Sequence, residues 1–208
     1  MYEVPGILNI LILVSGNGSN LKALIEAERN GSLGKRARIA AVFSDRDVYA
    51  LERAKAAGIP AFIEAPDKRL PKPEKRRELS DRILRLCREK QIDLIVCAGF
   101  LSILAGELIS EFSGKIINLH PALLPKYGGQ GMYGERVHRA VLEAGETESG
   151  CTVHLVDSGT DTGPILLQRR VPVLPEDTPE DLAERIHKEE HLAIVEGVKI
   201  MIRRLEEK

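Results

Sequence analysis

Short aliphatic runs alternate with longer stretches of helical spacing along most of this chain. Residues 7–14, ILNILILV, form a near-continuous apolar run of the kind that a parallel sheet buries on both faces. The polar stretch SGNGSN at 15–20 follows, then a segment from Leu21 whose apolar positions repeat with a helical period. Strand and helix recur in that order at 38–44 and 49–58, at 60–65 and 73–90, and at 93–98 and 102–112. Four such units predict an α/β fold: a doubly wound, mostly parallel sheet with right-handed crossovers and helices on both faces.

Residues 115–120, KIINLH, read as a fifth strand that stops at Pro121, which has no N–H to give to a ladder. A glycine-rich loop and a short helix at 136–144 come next, followed by two further strands at 150–156 and 164–173. Their connection, DSGTDTG, is too long and polar for a tight hairpin and is a candidate binding loop. Residues 178–207 predict a long terminal helix with Thr178 as N-cap and Pro179 in the first turn, broken near Gly197. No repeat or linker interrupts the pattern, so residues 1–208 are expected to form one domain.

Composition narrows the class of partner. With 30 basic and 31 acidic residues the net charge is −1, so no global field favours nucleic acid or an anionic membrane, and small-molecule substrates are the expected partners. The longest apolar run is too short to span a bilayer, and the N-terminal MYEVPG lacks the basic start of a signal peptide, which predicts a cytoplasmic protein. Cys87, Cys97 and Cys151 are far apart in apolar surroundings with no C-x-x-C, and they read as reduced core thiols, with no metal site implied.

Four places hold candidate chemistry. In the fifth strand Asn118 and His120 are two apart and share a face, so a carboxamide and an imidazole line one spot where the strand ends; a half-buried structural histidine fits the same pattern. Gly16 and Gly18 before a helix can expose N–H groups to a phosphate, although an ordinary βα turn looks the same. The G-x-G-x-x-L spacing there lacks the third glycine of the dinucleotide fingerprint, and no P-loop lysine follows. Asp161 in the DSGTDTG loop is either turn chemistry or a carboxylate held beside a histidine. In HKEEH at 187–191, His187 and Glu190 share a helical face, and H-x-x-x-H can in principle ligate a metal but lacks a third ligand; a solvated face is the simple alternative.

Taken together and in order, SGNGSNL at 15–21, AGF at 98–100, INLHPALLP at 117–125, TVHLVDSGTDTGP at 152–164 and the terminal helix with KEEH resemble phosphoribosylglycinamide formyltransferase of purine biosynthesis. The resemblance covers nearly the whole chain and implies a Rossmann-like formyltransferase fold, with the phosphate loop in the N-terminal half and the folate pocket and catalytic residues in the C-terminal half. It implies 10-formyltetrahydrofolate as co-substrate, no metal, and a monomer or homodimer. Asn118, His120 and Asp161 match the family's catalytic residues, and Gly18, Ser19 and Asn20 its phosphate loop. His187 and Glu190 fall where the family contacts the ribonucleotide. The folate pocket is matched by Asn118, by Leu101, Ser102, Ile103 and Leu104, by Asp157, Ser158, Gly159, Thr160 and Asp161, and by Arg76 for the glutamate tail. Two departures stand out: Ser102 lies where family members often have an arginine, and the 126–138 loop is longer than in the shorter members while keeping its final His138.

The chemistry implied is attack of a neutral amine on the formyl carbon carried by folate N10. On this reading Asn118 and a protonated His120 hold the developing oxyanion, each donor worth roughly 10²–10³ in rate. Asp161 would keep His120 charged at neutral pH and order a proton-carrying water. A nucleotide-dependent oxidoreductase using Asp45 or Asp47 for ribose, and a non-catalytic phosphoribosyl-binding module, are the competing classes. Formyltetrahydrofolate hydrolase and methionyl-tRNA formyltransferase would carry an additional domain, for which 208 residues are expected to leave no room.

Overall fold

The computed structural model describes residues 6–67 and 69–207; residues 1–5, the bulk of the N-terminal stretch expected to lack a signal peptide, lie outside that range. In chain order the elements are β1 (Leu8–Val14), α1 (Ser19–Arg29), β2 (Ala37–Ser44), α2 (Tyr49–Ala56), β3 (Ala61–Ile63), α3 (Lys72–Glu89) and β4 (Leu94–Cys97). They continue with α4 (Glu107–Glu111), β5 (Ile116–His120), α5 (Glu135–Glu143), β6 (Glu148–Leu155), β7 (Ile165–Pro172) and α6 (Pro179–Glu206). All seven strands make one sheet in the order β3-β2-β1-β4-β5-β6-β7. The first five run parallel, whereas β6 pairs antiparallel with β5 and β7 antiparallel with β6.

The aliphatic run of β1 explains the layering. Its side chains alternate between faces, so Ile10, Ile12 and Val14 pack with α1, α2 and α6, while Leu11 and Leu13 pack with α3 and α4. Burying each such side chain on either face contributes about 1.5–3 kcal/mol, which is why a strand apolar at nearly every position settles in the middle of the sheet. Chain direction through the sheet reverses between β1 and β4, and the crevice outside their carboxyl ends is where an open α/β sheet receives a ligand. Cys87, Cys97 and Cys151 are free and buried, and burial pushes their thiols up to about 12, so none is a ready nucleophile.

Three expected elements differ. The helix expected over 102–112 is only Glu107–Glu111, because Gly106 takes φ 70 and ψ −146, a left-handed-side conformation from which a helix can start but through which it cannot run. Residues 98–106 are left as a loop along the crevice. Helix α1 starts at Ser19, two residues before Leu21, with Gly18 at φ 75 as its cap, so the phosphate-loop candidates Ser19 and Asn20 are its first turn. Helix α6 is unbroken at Gly197. A Cβ there would lie 2.7 Å from Val153 Cγ1 on β6, so the glycine lets helix and sheet approach. Gly197→Ala is therefore expected to destabilise the protein by about 1–3 kcal/mol despite alanine's better helix propensity, measured as a lower denaturation midpoint. A neutral or stabilising result would show that the stiff β-branched neighbour yields.

Candidate functional site

Local sequence sets up each wall of one cavity of about 780 Å³. Helix α1 has no side-chain cap at its N-terminus, so the N–H groups of its first turn point outward at the positive end of the helix dipole, and Gly16–Asn20 line the cavity there. Residues 98–104 after β4 form a second wall, and Ser15 joins the two: its N–H bonds to the Gly99 carbonyl at 3.0 Å and its Oγ accepts Leu101 N–H at 2.9 Å. Asn118 and His120 come from the end of β5, and α6 contributes His187 and Glu190.

Asp161 arrives by an unexpected route. Val156 N–H bonds to the Ile116 carbonyl at the start of β5, yet Asp161 Oδ2 lies 3.6 Å from His120 Nδ1 at the end of that strand. The 157–164 loop must therefore double back along the sheet face, held by Thr162 Oγ1 donating to Asp157 Oδ1 at 2.7 Å, with Asp161 itself at φ 57. Gly129 N–H donates to Asp161 Oδ2 at 3.0 Å, which brings the glycine-rich loop against the carboxylate. Burial raises the Asp161 carboxyl, but the neighbouring His154 and His120 imidazoles, when protonated, and the Gly129 N–H outweigh it and hold the group below its ordinary value.

Carbonyl partners fix both imidazoles. His120 Nε2 lies 2.8 Å from the Tyr127 carbonyl, which can only accept, so Nε2 carries a proton and Nδ1 faces Asp161. His154 Nδ1 lies 2.8 Å from the Leu155 carbonyl, so its Nε2 is free to accept from Asn118 Nδ2 at 3.1 Å. The second Asn118 N–H reaches Asp161 Oδ1 at 3.5 Å, the weaker of its two contacts. Register makes this meeting possible, since Asn118 stands opposite His154 in the β5–β6 ladder.

The sequence led us to expect a charged His120 at neutral pH, and here the structure corrects it. Burial pushes the imidazole below its usual value, and neither Asp161 nor the Tyr127 carbonyl cancels that effect. The resting histidine is neutral, with a bare Nδ1 turned toward a carboxylate beyond hydrogen-bonding distance.

At the other end of the cavity Glu190 is 5% exposed, with Asn20 Nδ2 at 3.4 Å and His187 Nδ1 at 3.1 Å from its Oε2. Burial raises its carboxyl, against the pull of His187 and Asn20. Asn20 Oδ1 and His138 Nδ1 are buried without a hydrogen-bond partner, polar atoms of the sort a hydroxyl-bearing ligand would satisfy.

The cavity wall includes Gly18, Ser19, Asn20, Arg76, Leu101, Ser102, Ile103, Leu104, Asn118, Asp157, Gly159, Thr160, Asp161, His120, His187 and Glu190. Ser158, expected in the folate pocket, does not line it, and the Ser102 hydroxyl is committed to Asp45 Oδ2 at 2.6 Å. Lys72, Tyr133, Arg136, His138 and His154 line the cavity although no sequence argument gave them a role. His154 had a legible signal: it sits within TVHLVD, two residues after Thr152 on a strand face. Among the described residues no group of three or more His, Cys, Asp or Glu side chains is arranged to hold a metal ion, and no helix is long and apolar enough to cross a membrane.

Comparison with known proteins places this geometry in a context. Residues 8–198 match the family model described as formyl transferase. The trifunctional purine biosynthetic protein adenosine-3 of Drosophila melanogaster is 42% identical over 195 residues, 93% of this chain but only 14% of the fly protein's length. Phosphoribosylglycinamide formyltransferase of Escherichia coli (strain K12) is 39% identical over 188 residues, covering 88% of this chain and 82% of that protein. Among solved structures, glycinamide ribonucleotide transformylase 1 from Symbiobacterium toebii superposes with a TM-score of 0.83 at 38% identity, covering 96% of this chain and 89% of that one.

Proposed function

The chain belongs to the formyl transferase family, and on that premise we propose that it transfers the formyl group of 10-formyltetrahydrofolate to the amine of N1-(5-phospho-D-ribosyl)glycinamide. The products are the N2-formyl ribonucleotide and tetrahydrofolate, a step of de novo purine biosynthesis. One observation carries the reading: Asn118, His120 and Asp161 meet in the same cavity as a glycine loop on a helix N-terminus, so an acyl-transfer centre and a phosphate seat share one space. Residues 1–208 act as one formyltransferase domain, cytoplasmic, with small molecules rather than nucleic acid or membrane as partners, and as a monomer or homodimer.

The ribonucleotide phosphate sits on the amides of Gly18, Ser19 and Asn20, and its ribose hydroxyls meet Glu190 and His187. The folate lies along Leu101–Leu104 and the 157–161 loop, with Arg76 and Lys72 of α3 at the cationic side for the tail. The amine lone pair forms the new N–C bond while the carbonyl pair moves to oxygen. Asn118 gives up its long contact to Asp161 and donates to that oxyanion. The proton on the attached nitrogen passes to His120 Nδ1, and Asp161 stabilises the imidazolium as it forms. When the oxyanion collapses and the C–N10 bond breaks, that proton goes to N10.

Mixing the chain with both substrates and following tetrahydrofolate release tests the reading. Release that requires the ribonucleotide supports it; release in its absence identifies a hydrolase, and none in its presence rejects formyl transfer. Glu190→Gln keeps size while removing the charge that accepts from ribose, so it is expected to raise the ribonucleotide KM about tenfold with little change in the folate KM. Equal shifts in both constants would return His187 and Glu190 to a structural role.

A further inference from the structure

Asp45 takes no part in the steps above and does not line the cavity, yet it is only 3% exposed at the end of β2. A carboxylate that far from water is costly to desolvate and persists only where donors compensate it. Arg46 supplies two, Nε to Oδ1 and Nη2 to Oδ2, each at 2.9 Å. That bidentate pair alone would account for a structural ion pair, but a further donor comes from elsewhere in the chain. Ser102 Oγ donates to Oδ2 at 2.6 Å, and the preceding residue, Leu101, donates its N–H to Ser15 Oγ at 2.9 Å. Ser15 begins the glycine loop on which the phosphate sits, and Ser102 belongs to the folate wall.

We propose that Asp45 is a positioning residue that holds the phosphate loop and the folate wall in one register, so that affinity for each substrate depends on a carboxylate that touches neither. The linkage runs through two hydrogen bonds: the Ser102 hydroxyl gives its proton to Asp45, and Ser15 Oγ uses a lone pair for Leu101 N–H. A shift of the carboxylate therefore moves the folate wall directly through Ser102 and reaches the phosphate loop through the Leu101–Ser15 bond. Ser102 stands where an arginine was expected from the family pattern, and its hydroxyl is spent inward on Asp45 and not on the folate tail.

The identity of the two ligands rests on the formyl-transfer reading, so the experiment begins with the unaltered protein. Titration calorimetry with the ribonucleotide substrate and, separately, with tetrahydrofolate should show both binding; absence of both overturns that reading and this inference with it. Asp45→Asn is expected to weaken tetrahydrofolate about tenfold and the ribonucleotide several-fold, because an amide turns one acceptor into a donor that either faces the Arg46 guanidinium, which cannot accept, or forces the Ser102 hydroxyl to turn. Ser102→Ala, which removes one hydroxyl, is expected to weaken tetrahydrofolate several-fold and the ribonucleotide less, and it keeps the inference testable if Asp45→Asn does not fold. In the double variant the folate loss should be no larger than in Asp45→Asn alone, since the two residues act as one unit. A lower melting temperature with both affinities unchanged, or folate losses that simply multiply, would reduce Asp45 to a fold-stabilising ion pair.

Discussion

Asp161→Asn is expected to lower kcat by roughly 10²–10⁴ at neutral pH with modest changes in either KM. The substitution keeps size but removes the negative charge 3.6 Å from His120 Nδ1, the charge that in the proposed mechanism stabilises imidazolium once the proton arrives. The sign of the pH effect follows from the resting state. Burial already holds the His120 pKa below its usual value while Asp161 pulls it up, so removing Asp161 lowers it further. The acid limb of the kcat profile, which reports loss of the neutral imidazole, should then move to lower pH beneath a depressed plateau. His120→Ala should abolish that limb, and the double variant should be little worse than His120→Ala alone, because the pair works as a unit. Activity that instead recovers as the pH is lowered would mean that imidazolium is the resting form, as the sequence by itself suggested, and would overturn the neutral assignment.

The second large effect is expected from a glycine with no chemistry of its own. A Cβ on Gly163 would lie 1.9 Å from the Leu155 carbonyl oxygen and 2.8 Å from its carbon, contacts with backbone that no rotamer can relieve. Leu155 N–H meanwhile bonds to the Pro164 carbonyl at 2.8 Å, so the two strands cannot part there without losing the first rung of the β6–β7 turn. Gly163→Ala should cost about 3 kcal/mol, the upper end for overpacking. It should also move Asp161, two residues earlier, and a misplacement near 1 Å typically costs about 10²-fold in rate. The test is a denaturation midpoint beside kcat measured well below it. Wild-type values of both would mean that the loop has another way to fold back, and a stability loss with full activity would uncouple the turn from Asp161.

What could be read from the chain alone came from periodicity and from local backbone chemistry. The unbroken aliphatic run before Ser15 can be buried only in the middle of a sheet, and the strand–helix alternation after it leaves a parallel doubly wound order as the solution that buries every apolar face. Thr178 and Asp181 form the reciprocal cap at the start of α6, as the Thr-Pro start allowed, because capping depends on residues three apart. The pairing of Asn118 with His120 on one face was legible for the same reason: a period of two is a property of the strand. None of these needs a distant partner. Where the chain by itself fell short, the deciding contact was far away in sequence. Gly197 looked like a helix breaker, yet Val153 is what requires it. The helix expected over 102–112 shrank to one turn because Gly106 departs from helical backbone and residues 98–106 must follow the crevice. His154 acquired its place through the antiparallel register that sets it opposite Asn118, and Asp161 through a loop that doubles back along the sheet. The protonation of His120 was decided last and least locally, because desolvation by the whole surrounding core outweighs one neighbouring carboxylate. Spacing along a chain fixes which side chains share a face, but burial and long-range pairing belong only to the folded whole, and those set the charge and reach of the groups at this site.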